Sequence, residues 1–128
     1  MHVKPESLPI IFDRGNSSLR GAEWGGMMVL LYTIPAGTDM KPLFAGAPGN
    51  LCQCPHWGYV LKGCVRIRHP DRDQIVTSGE LFYVAPGHVP LFEEDTQMVE
   101  FSAKEPWVEM IATVGKNLSR LSQEGQSG

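Results

Sequence analysis

Turn-forming residues interrupt this sequence so often that they leave room for little except short strands. Pro35-Ala36-Gly37-Thr38, Ala45 to Asn50, Lys62-Gly63, Pro70-Asp71-Arg72-Asp73, Ser78-Gly79 and Pro86-Gly87 all read as turns or loops. Leu8 to Phe12 reads as an edge strand, broken off by Asn16-Ser17-Ser18 and Gly21. Met27 to Ile34 is apolar at nearly every position, the pattern of a strand buried on both faces. Lys41 to Phe44 reads as a brief strand, and Trp57 to Leu61 as a longer one. Val65 and Ile67 alternate with Arg66 and Arg68, the period of a half-exposed strand. Gln74 to Thr77, Leu81 to Val84 and Gln97 to Phe101 complete the set. Roughly seven to nine short strands with frequent turns predict a sandwich or a closed barrel. No repeat of solenoid or propeller length recurs.

The end of the chain changes period. Trp107, Ile111, Val114, Leu118 and Leu121 are spaced at helical intervals and form one stripe. Pro106 suits a first helical turn, where its missing N–H costs nothing. Such a helix would cover the barrel's outside or open end, or meet a partner subunit. Residues 1–121 read as one domain, and the polar residues 122–128 as a flexible tail.

Composition excludes several functions. The net charge is −3, and Asp71 and Asp73 interrupt the nearby Arg66, Arg68 and Arg72. Without a basic patch, nucleic acid is not an expected partner. The apolar run Met27 to Tyr32 is too short to span a bilayer. The first residues carry no apolar core of signal-peptide length, so the expected location is cytoplasmic. Three cysteines make an odd count, which reads as thiols in a reducing compartment rather than a disulfide framework.

Two segments resemble the two motifs of the cupin superfamily. One is Tyr59-Val60-Leu61-Lys62-Gly63. The other is Gly79-Glu80-Leu81-Phe82-Tyr83-Val84-Ala85-Pro86-Gly87-His88, similar to the family's G-(D/E)-x(4)-P-x-G turn. The resemblance covers about Pro35 to Ser102. It implies an all-β fold, a cupin-type β-barrel (double-stranded β-helix or jelly roll), here with one C-terminal α-helix, and commonly a homodimer paired through its sheets. Metal-binding cupins carry three His and one Glu. Aligned on Gly63, their positions fall here on Asn50, Cys52, His56 and Pro90, so the usual set is absent. The fold serves many chemistries, and function has to be argued from the site.

The residues themselves offer another set. Cys52, Cys54 and His56 stand at alternate positions, and in extended backbone they share a face. His88 follows the Pro86-Gly87 turn, where the resemblance brings it opposite that strand. Two thiols and two imidazoles match zinc, the favoured cofactor, and with three protein ligands a fourth position stays open for water or substrate. Against this, Pro55 would break the extended geometry, and buried cysteines often serve as small hydrophobes. Alternation puts Gly58 and Val60 on the side of His56, with Gly58 leaving room for a ligand, and Trp57 and Tyr59 opposite, where packing between sheets or a subunit contact is expected. Phe82 joins Gly58 and Val60 as a pocket residue. Glu100 lies within a strand; on the solvent face it is ordinary, and facing inward it is a candidate base. His69 is expected in solvent. Three functions stay open: a metal-dependent isomerase, lyase or hydrolase acting on a small molecule; a metal-free small-molecule binder or sensor; and a structural dimer-former.

Overall fold

The computed structural model describes the backbone of residues 1–127 and side-chain surroundings through Gln123. Among the described residues nine strands lie in two antiparallel sheets: β1 (Ile10–Asp13), β2 (Ser18–Trp24), β3 (Met27–Ile34), β4 (His56–Lys62), β5 (Cys64–Arg68), β6 (Asp73–Thr77), β7 (Leu81–Val84), β8 (Val89–Phe92) and β9 (Thr96–Ala103). The larger sheet has the order β1-β2-β3-β9-β4-β7, and the smaller β6-β5-β8. One helix, α1 (Lys104–Ser127), continues directly from β9. The expected tail over residues 122–128 falls mostly outside the described side chains.

Two local readings need correction, and β8 adds a strand that the sequence did not suggest. Gly21 does not end a strand; it sits inside β2. A Cβ there would stand 2.6 Å from Leu30 Cδ2 and 3.0 Å from Ile11 Cδ1, so the glycine allows a close approach between strands. Lys41–Phe44 is a 3-10 turn rather than a strand, with Pro42 in its opening positions. Val89–Phe92 is a strand despite Pro90. It lies at the edge of the smaller sheet, where a proline's missing donor is tolerated.

Two apolar clusters fill the interior. One joins Ile34, Val60, Val65, Ile67, Val76, Val84, Phe92 and Met98 across both sheets. The other gathers Leu19, Leu30, Phe44, Cys52, Cys54, Trp107 and Val114 beneath the helix. Each fully buried Leu or Val contributes about 1.5–3 kcal/mol. The helix therefore closes the end of the barrel on which Cys52 and Cys54 lie. Asn117 fixes it there, its Nδ2 donating to the carbonyls of Leu43 and Ala45, both at 2.9 Å. Trp107 and Val114 of the predicted stripe are buried, and Ile111 and Leu118 half-buried.

Candidate metal centre

The site forms where one strand pairing is interrupted and then resumes. β4 and β7 pair with His56 opposite Val84. Pro55 and the Pro86-Gly87 turn then break the ladder, and Gly87 takes a φ of 90° that favours glycine. The ladder resumes in the same register at Cys52 and His88. The Cys52 N–H donates to the His88 carbonyl at 2.8 Å, and the His88 N–H returns to Cys52 at 3.2 Å. That exchange holds the two side chains on one inward face.

Cys52, His56 and His88 each offer a donor atom, and these atoms lie within 4.8 Å of one another. All three residues are buried. Cys52 Sγ is 3.5 Å from His56 Nε2, and the two imidazole rings stand edge to face with centres 5.1 Å apart. Cys54, expected to join them, lies outside this group. It is buried, but its thiol donates to the Pro55 carbonyl at 3.5 Å, because the proline interrupts the alternation.

Acceptors behind the imidazoles orient them. His56 Nδ1 lies 2.8 Å from Glu100 Oε1 and 2.8 Å from Ser102 Oγ. His88 Nδ1 donates to the Ala85 carbonyl at 2.7 Å. With each Nδ1 engaged in this way, Nε2 is the ring nitrogen left to ligate, in His88 as it stands and in His56 once it gives up its proton. Metal-ligating histidines are held by the same arrangement.

The two rings differ in charge. Burial works against a charged His56, but the Glu100 carboxylate and hydrogen bonds to the Cys52 and Cys54 sulfurs outweigh it and hold its pKa well above the usual value. Burial pushes His88 down to about 3, with His56 adding repulsion, so His88 is neutral near neutral pH. Beside them, burial and the nearby Glu100 charge raise the Tyr32 phenol well above its ordinary value, and it stays protonated. Trp107 Nε1 donates to the Tyr32 oxygen at 3.4 Å.

A cavity of about 160 Å³ opens onto the donor group. Glu100 faces inward rather than to solvent, and both it and Phe82 line this space. Gly58 and Val60 do not. A Cβ on Gly58 would meet the Phe82 ring at 2.4 Å and the Val99 carbonyl at 2.3 Å, so the room above the glycine holds Phe82 and not a ligand. Val60 is fully buried in the apolar cluster spanning the two sheets. Trp57 and Tyr59 do not pack between sheets; they are 45% and 38% exposed on the outer face. Asn50 is exposed and accepts from the Gly46 N–H, while Pro90 borders the cavity. His69 is half-buried, bonded to Gln74 at 3.1 Å and 6.2 Å from the His88 ring.

Ser102 and Tyr32 were missed by the sequence reading. Ser102 follows Glu100 by two residues, so alternation alone places both on one face. Nothing local marks Tyr32, which sits in an apolar strand and reaches the site through the fold.

No family model matches the chain, and no curated protein matches it. Solved structures do. An RmlC-like cupin from Shewanella frigidimarina NCIMB 400 is 13% identical, with 82% of this chain and 93% of that chain covered and a TM-score of 0.57. The polyketide cyclase RemF from Streptomyces resistomycificus is 15% identical, covering 82% and 80%, with a TM-score of 0.57. KdgF from Halomonas sp. is 13% identical, covering 77% and 89%, with a TM-score of 0.52. Likeness at this level of identity reaches the architecture and stops short of the chemistry, and it makes this chain a small cupin-fold β-barrel.

Proposed function

We propose that the protein binds a divalent metal, zinc favoured, through Cys52, His56 and His88, and a small organic molecule in the cavity beside it. The observation that carries this reading is a buried group of three donors whose two imidazoles are already turned toward one another by Glu100 and Ala85. The donor set fits zinc. Bonds of about 2.3 Å to sulfur and 2.0–2.1 Å to nitrogen at a tetrahedral angle separate S from N by about 3.5 Å. Cys52 Sγ and His56 Nε2 stand at 3.5 Å. Thiolate and imidazole together also favour zinc over magnesium or calcium.

With three protein ligands, a bound metal would leave one position open and supply Lewis-acid polarisation of a ligand oxygen. The chain's own groups supply the rest. Glu100 and Ser102 hold the His56 ring by Nδ1. Tyr32 presents a neutral hydroxyl beside the cavity. The apolar walls exclude water. Isomerase, lyase or hydrolase chemistry on a small molecule suits this arrangement. A metal-free binder is the second reading, favoured by the almost wholly apolar lining of the cavity. Three free thiols suit a reducing, cytoplasmic compartment. Among the described residues no helix is long and apolar enough to cross a membrane.

Metal analysis of tag-free protein purified without chelator separates the two readings. Near-stoichiometric zinc is expected, with affinity at least about 100-fold lower in His56→Ala and in Cys52→Ser. Substoichiometric metal that neither substitution changes would rule out the metal.

The same reading takes the chain as a homodimer. Trp57, Tyr59, Leu81, Tyr83 and Phe101 are between 38% and 82% exposed on the outer face of β4, β7 and β9. Trp57 and Tyr83 are in ring contact at 5.2 Å. An apolar outer face of this kind on a sheet is costly to leave in water. Light scattering is expected to give twice the 14.1 kDa chain mass. Trp57→Glu with Leu81→Glu is expected to weaken association at least about tenfold. A strict monomer at all concentrations would exclude the dimer.

A further inference from the structure

The cavity does not end at the donor group. Phe12, Arg14, Ile111, Val114 and Leu118 line it and also line a depression on the surface. These shared walls set the depression against the chamber, between the β1–β2 turn and α1. The inner chamber is apolar and encloses about 160 Å³. An apolar cavity of about 150 Å³ accepts a body the size of one benzene ring. One carboxyl side chain and one guanidinium line the chamber, those of Glu100 and Arg14. Glu100 is held against His56.

Arg14 differs from the other arginines. Arg66, Arg68 and Arg72 are ion-paired, and Arg20 donates to the Leu8 carbonyl. Arg120 also has a partner. Among the described residues the Arg14 guanidinium meets no acceptor. Its backbone is fixed, because the Arg14 N–H donates to the Ser17 carbonyl across the turn at 2.8 Å. A guanidinium with no acceptor among the described residues thus stands at the rim of an apolar chamber, with Ser17 of the same turn also lining it.

We propose that Arg14 anchors an anion at this rim, and that the ligand is a small carboxylate with an apolar body of about one ring. The body fills the chamber and the carboxylate meets the guanidinium, whose planar fork matches two carboxylate oxygens. This rests on the cavity being the ligand site and does not require the metal.

Calorimetry with 3-phenylpropionate and its uncharged amide, 3-phenylpropionamide, tests the proposal on wild-type protein, Arg14→Gln and Cys52→Ser. Arg14 is exposed in a turn, so its substitution leaves the fold in place. The acid is expected to bind wild-type protein about tenfold more tightly than the amide, the scale of one charge-assisted contact partly screened by solvent. Arg14→Gln is expected to bind both equally, and Cys52→Ser to keep the preference. No binding of the acid to wild-type protein, equal binding of acid and amide there, or a preference that survives Arg14→Gln overturns the proposal. A preference kept in Arg14→Gln but lost in Cys52→Ser would place the carboxylate at the donor group, supporting the metal reading while sinking this one. Wild-type protein that holds no zinc yet prefers the acid through Arg14 has the reverse meaning.

Discussion

Chelation of the zinc-loaded protein is expected to lower its melting temperature by roughly 10 °C. A ligand that binds only the folded state stabilises it by about 4 kcal/mol at a thousandfold excess over its dissociation constant, and a domain of this size shifts by roughly 3 °C per kcal/mol. The folded state is selective here because the donors come from distant segments. Cys52 and His56 are near neighbours, but His88 arrives from beyond the Pro86-Gly87 turn. The chelated protein is also expected to weaken in acid. His88 is held neutral with its pKa pushed down to about 3, against an ordinary 6.5 in the unfolded chain. Between those values the unfolded state binds more protons, so stability falls as the pH drops through that window. Differential scanning calorimetry with and without chelator checks both effects. An unchanged midpoint on chelation would remove the metal from the account.

Gly63→Ala is expected to destabilise the protein by about 3 kcal/mol, and Gly79→Ala by only about 1 kcal/mol. Both glycines belong to the motif segments and both have positive φ, 96° and 86°. They differ in what surrounds them. A Cβ on Gly63 would stand 2.4 Å from the Asp95 carbonyl oxygen and 2.7 Å from Thr96 Cα, which are backbone atoms that cannot step aside. A Cβ on Gly79 would meet only the Tyr59 hydroxyl, at 4.0 Å. The second substitution therefore costs conformational strain alone, while the first adds a clash between β4 and the start of β9. Urea denaturation of the two variants measures the difference. Equal losses would mean that the close approach at Gly63 yields at no cost.

Most of the barrel was legible because its strands keep clear apolar runs between turns. The exceptions have local causes. β2 carries Ser18 and Gly21, residues that usually end strands, yet its glycine sits under Leu30. β8 contains Pro90, which an edge position tolerates. At the site, Cys52 and His56 were legible from alternation, and His88 from its turn. Cys54 was not, because Pro55 changes the direction of the chain between it and His56. Glu100 was ambiguous for a different reason. In β9 the inward residues include Thr96, Glu100 and Ser102, while Phe101 faces out, so the usual apolar-in pattern is reversed where the site needs polar groups.

β9 is the last strand of the chain and yet lies in the middle of the six-stranded sheet, between β3 and β4. Its pairing with β3 joins Met27 to Ala103. During synthesis the earlier strands must wait with open edges until this one emerges, and pairings of such sequence separation form slowly. Glu100 arrives with it. The carboxylate that orients His56 is thus delivered by the step that closes the sheet, and a half-made chain holds Cys52 and His56 without the group that readies them. The His56–Glu100 contact becomes a mark of completed folding, written into the order of the strands.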